Sequence, residues 1–190
     1  DFKKKNPNIW LLVEKGLTGT QKQLQALAQS LGYPYQEHTI ELRQPWKWLA
    51  PYLSLGIEHA LQPTLPKTLP NIVIAAGRKS IAPALALKAQ KPELFLVYMQ
   101  DPKFARDQFD LIIAPDHDRL RGRNIISTIG ALNSINAKTL KQAKKGFPDF
   151  KRLPSPRIAV LIGGNSKTHT MTTKDAERLA NHLLTLQKEH

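Results

Sequence analysis

No cysteine occurs anywhere in the 190 residues, which removes disulfides and thiolate metal sites and fits a reducing compartment. Acidic residues are scarce: 15 Asp and Glu face 28 Lys and Arg, leaving a formal charge of +13. An excess of one sign on that scale favours an anionic partner, whether nucleic acid, acidic lipid headgroups or a phosphorylated ligand. Aromatic residues are few, at 7%, and they are not interleaved with the basic clusters. A stacking platform for bases is therefore lacking, and nucleic acid is not the partner expected. No apolar run approaches the roughly 20 residues needed to cross a bilayer. The longest runs, residues 9–13 and 158–162, have the length of strands. Near the start, Lys3, Lys4 and Lys5 lead through Asn-Pro-Asn into a short apolar run without a small-residue cleavage site, so no secretory signal is read there. The first residue is Asp1 and not Met, so residues are expected to precede it. These features predict a cytoplasmic protein whose basic surface suits peripheral contact with an anionic membrane.

What is present is a recurring pattern. Apolar residues make up 41%, enough for a sizeable core. Ile-Trp-Leu-Leu-Val (9–13) is a continuous apolar run, as expected of a strand buried on both faces of a parallel sheet. A polar turn with Gly16 and Gly19 follows, then a helix with Leu24, Leu27, Ala28 and Leu31 on one stripe. Thr20 and Gln23 fit a capping box at its start and Gly32 its end. The unit repeats with strands over residues 35–42, 71–77, 94–99, 110–114 and 124–127. A short helix is expected after Pro45-Trp46-Lys47-Trp48 to near residue 60, and another over roughly 81–89. A weak Lys-rich helix, capped by Asn136, should run to about residue 146. Strands alternating with helices imply right-handed crossovers: an α/β, Rossmann-like parallel sheet with helices on both faces.

Three prolines between residues 148 and 156 break the pattern and read as a linker. The expected organisation is a Rossmann-like domain over residues 1–147, a linker over 148–156, and the start of a second such domain from 157. That start consists of a buried strand, Arg-Ile-Ala-Val-Leu-Ile (157–162), a glycine turn, and a helix capped by Thr172 or Thr173 with Ala176, Leu179, Ala180, Leu183 and Leu184 on one face. One strand and one helix cannot make a sheet: either the strand joins the first sheet as a seventh, or, as the intervening linker favours, the remainder of the second domain is expected beyond residue 190, a partner within the same protein.

Ligands of open parallel sheets bind at the carboxyl ends of the strands, and those turns are polar here. Gly163, Gly164, Asn165, Ser166 and Lys167, between an apolar run and a helix, can offer backbone amides and a helix N-terminus to a phosphate. The spacing is not that of a Walker motif. Gly77, Arg78 and Ser80 form a second such turn. Ser80 suits the helix cap, and Arg78 suits a bidentate clamp on phosphate or carboxylate. Gly16 and Gly19 form a third, without a dinucleotide fingerprint. Gln100 and Asp101 end one strand; His117 and Asp118 end another, where an imidazole between carboxylates is placed for general-base work. Each of these positions has a plainer reading as a turn or solvated loop residue. No second His stands at metal-ligand spacing, so neither a metal nor a cofactor is expected.

Taken in order, these segments resemble the "elongated mitochondria" mitochondrial fission family: the first strand with Gly16, Gly19 and Gln23, then Ala-Ala-Gly-Arg (75–78), Gln-Asp-Pro (100–102), Pro-Asp-His-Asp (115–118), Thr-Ile-Gly-Ala (128–131) and Arg-Ile-Ala-Val-Leu-Ile-Gly-Gly-Asn-Ser-Lys (157–167). The first loop departs from the family pattern at Leu17 and Thr20, where Lys and His are common. The resemblance implies a protein of two similar domains with kinship to GT-B glycosyltransferases, in which the second domain holds the nucleotide-sugar diphosphate and the first the acceptor. It implies a glycosyltransferase-like protein at the inner membrane face, with Asp101, His117 or Asp118 as base and the 163–167 turn on the diphosphate. The alternative it implies is a non-catalytic module that recruits a membrane or another protein.

Overall fold

The computed structural model describes residues 6–44, 61–62, 64–66, 68–163, 165 and 169–189. The apolar run at the start becomes β1 (Ile9–Glu14), buried from Ile9 to Val13. It feeds α1 (Thr18–Leu31), which ends at Gly32 in the left-handed conformation, φ 73°. β2 (Tyr35–Leu42), the two-residue β3 (Leu61–Gln62), β4 (Ile72–Ala76) and α2 (Ile81–Gln90) follow. β5 (Phe95–Met99), β6 (Leu111–Pro115) and β7 (Ile125–Thr128) complete the sheet. The short helix expected between residues 45 and 60 lies outside the described residues.

The sheet order is β3-β2-β1-β4-β5-β6-β7. β1, β2, β4, β5, β6 and β7 run parallel. β3, which the sequence pattern did not single out, pairs antiparallel at the edge through Glu41–Gln62 and Leu42–Leu61. Side chains alternate across the sheet, and β1 therefore serves two cores. Trp10 and Leu12 join Val73, Ala75, Leu96, Tyr98 and Ile112 beneath the α2 residues Ile81, Ala84 and Leu87. Ile9, Leu11 and Val13 join Ile74, Ala76, Val97 and Met99 beneath the α1 residues Leu24 and Ala28. A side chain buried this fully contributes about 1.5–3 kcal/mol, so β1 and β4 anchor the molecule.

The chain divides into two compact units, Asp1–Asn136 and Ala137–His190. The second contains α3 (Ala137–Ala143), two 3-10 turns over residues 144–146 and 148–151, and α4 (Thr173–Glu189). The Lys-rich helix expected to reach residue 146 thus tightens into a 3-10 turn after Ala143. The strand expected at 157–162 is not formed: among the described residues these have no ladder partner, and the seven described strands of the sheet come from residues 9–128. Ile158 is 58% and Leu161 96% exposed. An extended segment becomes a strand only through a neighbour that takes up its backbone groups, and apolar patterning cannot supply that neighbour.

Two caps also differ from expectation. α1 begins at Thr18 with Leu17 at its N-cap and no side-chain cap bond, so Thr20 is already helical and its box with Gln23 does not form. A 3-10 turn over Arg78–Ser80 precedes α2, placing Ser80 in helical conformation, again without a side-chain cap bond. At α4 the cap is Thr172: its Oγ1 accepts from the Asp175 amide at 3.2 Å, while the Asp175 carboxylate accepts from the Thr172 amide at 3.1 Å.

Candidate functional site

Parallel strands end on one rim, and the rim has its crevice where strand order reverses. Here β2 lies on one side of β1 and β4 on the other, so the reversal falls between the loops after β1 and β4. Gly16, φ 90°, lets the chain leave β1 toward α1. Gly19 sits inside α1 and not in that loop. Gly77, φ 91°, approaches β1 so closely that a Cβ would lie 2.8 Å from Glu14 Cβ and 2.9 Å from Leu17 Cδ1. Only glycine fits both the dihedral and the space. Arg78 is exposed on the rim. Ser80 is fully buried, and its hydroxyl donates to the Gly77 carbonyl at 2.8 Å. It secures the turn from beneath, out of reach of any ligand above.

Below this turn lies Tyr98. Burial pushes its phenol pKa up, and the nearby Glu14 charge pushes it the same way, so the hydroxyl stays neutral beside Ser80. Glu14 ends an otherwise apolar strand with its side chain 16% exposed. Its carboxylate accepts the Lys79 backbone amide at 3.2 Å and also the Lys79 ammonium. The turn's anion-seeking donors are thus already engaged by a carboxylate of the chain itself. An acidic residue closing a buried strand needs a partner, and that was the available sequence signal for Glu14; nothing in the pattern identified Tyr98.

The loop after β5 is shaped around Asp101. Gln100 (φ 75°), Lys103 (φ 61°) and Ala105 (φ 49°) all occupy the left-handed region, which non-glycine residues rarely visit. The Gln100 amide donates to the Ile113 carbonyl at 2.8 Å. The Asp101 side chain, 5% exposed, accepts from Arg106 at 3.0 and 2.8 Å and from the Lys103 amide at 2.9 Å. Desolvation alone would raise its pKa, but the bonds from Arg106 and Lys103 outweigh it and bring the group down to about 2. A carboxylate so engaged is a poor proton acceptor at neutral pH.

After β6, residues 116–118 form a 3-10 turn. The His117 side chain is 75% exposed, its Nε2 3.7 Å from Asp118 Oδ1 and so beyond hydrogen-bond range. Arg121 bonds Asp116 at 2.8 Å and Ser127 Oγ at 3.1 Å. Gln100 shares a dimple of about 10 Å³ with Gln23, Pro115 and Thr128. That volume holds a water, not a sugar. The rim therefore joins Gly16, Gly77 and Arg78 at the reversal, with Gln100 and Asp101 one strand further and His117 and Asp118 another.

Of the residues proposed for the second glycine turn, Gly164, Ser166 and Lys167 lie outside the described residues. A Cβ on Gly163 would meet nothing within 4 Å. The Asn165 side chain accepts the Met171 amide at 2.8 Å. Gly163 borders an open hollow of about 680 Å³ with His169, Asp175, Arg178 and His182, in which Arg178 pairs with Asp175 at 3.2 Å.

Residues 18–190 match the family model described as mitochondrial fission ELM1. The uncharacterized protein RP120 of Rickettsia prowazekii (strain Madrid E) is 29% identical over 199 aligned positions, covering 84% of this chain and 55% of the relative. The mitochondrial fission protein ELM1 of Arabidopsis thaliana is 29% identical over 154 positions, covering 68% of this chain and 36% of that protein. The chain thus spans about half or less of the length of these curated relatives. No solved structure matches. The match takes in the reversal-point turn at Gly77 and Arg78, the Asp101 loop and the 163–167 segment alike, and on that breadth the chain belongs to the mitochondrial fission ELM1 family.

Proposed function

We propose that this chain is the ligand-binding part of a glycosyltransferase-like member of its family, working peripherally at the inner face of a membrane on a nucleotide-sugar. Residues from 157 onward begin a second domain completed beyond residue 190, whose 163–167 turn takes the diphosphate, while the rim of the first unit takes the acceptor. The observation that carries this reading is the reversal-point turn: a glycine that tolerates no Cβ beside Glu14, followed by an exposed Arg78. Such a turn brings backbone and guanidinium against a ligand anion. The base, with Asp101 engaged by Arg106, is then His117, the exposed imidazole after β6, with Asp118 beside it.

Calorimetry and thermal-shift measurements on the full-length protein with a panel of nucleotide-sugars and nucleotides test it. Arg78→Ala should leave nucleotide-sugar affinity in place and weaken an anionic acceptor at the rim roughly 10- to 100-fold, the worth of one charged hydrogen bond. Glu14→Gln should tighten it by freeing Lys79. Absence of heat and of any thermal shift across the panel sinks the reading. No turnover is expected from residues 1–190 alone.

A second reading, recruitment without catalysis, is favoured by the name of the Arabidopsis relative and by the engaged state of Asp101. Under it, His117→Ala leaves the protein's cellular role intact, whereas under sugar transfer the role is lost.

A further inference from the structure

The second unit exposes two kinds of apolar side chain. Over residues 158–162 the exposed Ile158, Leu161 and Ile162 have no charge among them, as suits a strand awaiting protein neighbours. Over residues 137–157 the picture differs. Leu140, Phe147, Phe150 and Leu153 are 52–59% exposed. They are interspersed with seven Lys and Arg against a single acid, Asp149, a net of +6, so aromatic and basic residues do interleave in this stretch, contrary to the expectation from composition. Phe147 and Phe150 stack with centroids 5.2 Å apart and planes 7° from parallel, a two-ring plate held at the surface. Asp149 pairs with Arg152 at 3.4 Å with both side chains more than 80% exposed, so the acid screens little of the field.

We infer that residues 138–153 are a docking surface for an anionic lipid bilayer. An apolar protein face covering this patch would strip water from ammonium groups with only Asp149 to answer them, which is unfavourable. A bilayer interface accepts both halves: rings and leucines enter at headgroup depth while lysines extend into the hydrated anionic layer. The lysines flank the ring pair in sequence, Lys144 and Lys145 before it and Lys151 after it. The inference rests on the membrane part of the proposed function and is separate from the ligand part, since nucleotide-sugar binding is read without vesicles.

Co-sedimentation of the whole chain with phosphatidylcholine vesicles, with and without 30% phosphatidylglycerol, is the test. Binding is expected only to the anionic vesicles, and it should fall as salt is raised from 0.1 to 0.5 M. Lys144→Ala/Lys145→Ala should weaken it roughly 25-fold, at about fivefold per lysine. Phe147→Ser/Phe150→Ser should weaken it about tenfold while leaving the salt dependence in place. All four side chains are exposed, and unchanged circular dichroism would verify folding. Equal binding to neutral vesicles, or anionic binding indifferent to both double variants, overturns the inference. So does capture of RNA through the same residues with vesicles ignored.

Discussion

Gly77 shows how one position can decide a site. Its φ of 91° and the 2.8 Å approach to Glu14 Cβ predict that Gly77→Ala loses about 1–3 kcal/mol, more than the few tenths usual at a surface turn. Urea unfolding would measure it, and a loss under 0.5 kcal/mol would show that the turn relaxes freely. Asp101 makes a prediction in pH. Its folded pKa, about 2, lies below the ordinary 3.8. Its stabilisation is therefore fully present above the ordinary value and fades as pH falls through about 2. Asp101→Asn should remove about 2 kcal/mol at pH 7, and the gap between variant and parent should close in acid. A gap constant from pH 7 to 2.5 would mean that the carboxylate's charge is not what matters. Gly77 and Asp101 were both visible as residue types at strand ends, but their roles were not. Whether a strand-end carboxylate serves as a base or holds a loop depends on Arg106, five positions away, and on left-handed backbone at Gln100, Lys103 and Ala105, which their residue types do not announce.

The elements divide by where their partners come from. Buried runs at 9–13, 73–76 and 96–99 could be read because each is apolar on both sides, and a two-faced parallel sheet demands that. β3 could not, since two residues carry no periodicity. The run at 158–162 has the same lettering as β1 yet forms no strand here, because lettering states a need for neighbours and not their presence. Leu161→Ser, at 96% exposure, should therefore alter the stability of this chain by less than about 0.5 kcal/mol. Leu12→Ala, fully buried in β1, should lose 2–5 kcal/mol. Were Leu161→Ser to approach the Leu12 value in thermal unfolding, the segment would be packed in solution. Caps were legible only in part: Thr172, one of the two caps the sequence offered for α4, closes a box with Asp175, whereas the equally local Thr20–Gln23 box does not form because α1 already begins at Thr18.

Over the whole molecule, burial is one-sided. Fully buried side chains lie in the unit Asp1–Asn136, and among the described residues of Ala137–His190 none is buried. Amide hydrogen exchange should show its slowest sites in β1, β4 and β5 and fast exchange through α3 and α4; comparable protection in both units would contradict this burial pattern. Among the described residues no helix is long and apolar enough to cross a membrane. The pair of Glu14 and Lys79 has one more implication. A guest anion at this rim would enter by exchange, ousting a resident that is always at full local concentration because it is tethered to β1. Negative charge alone would then win little, and discrimination among guests would rest on whatever else they touch once the carboxylate has swung aside.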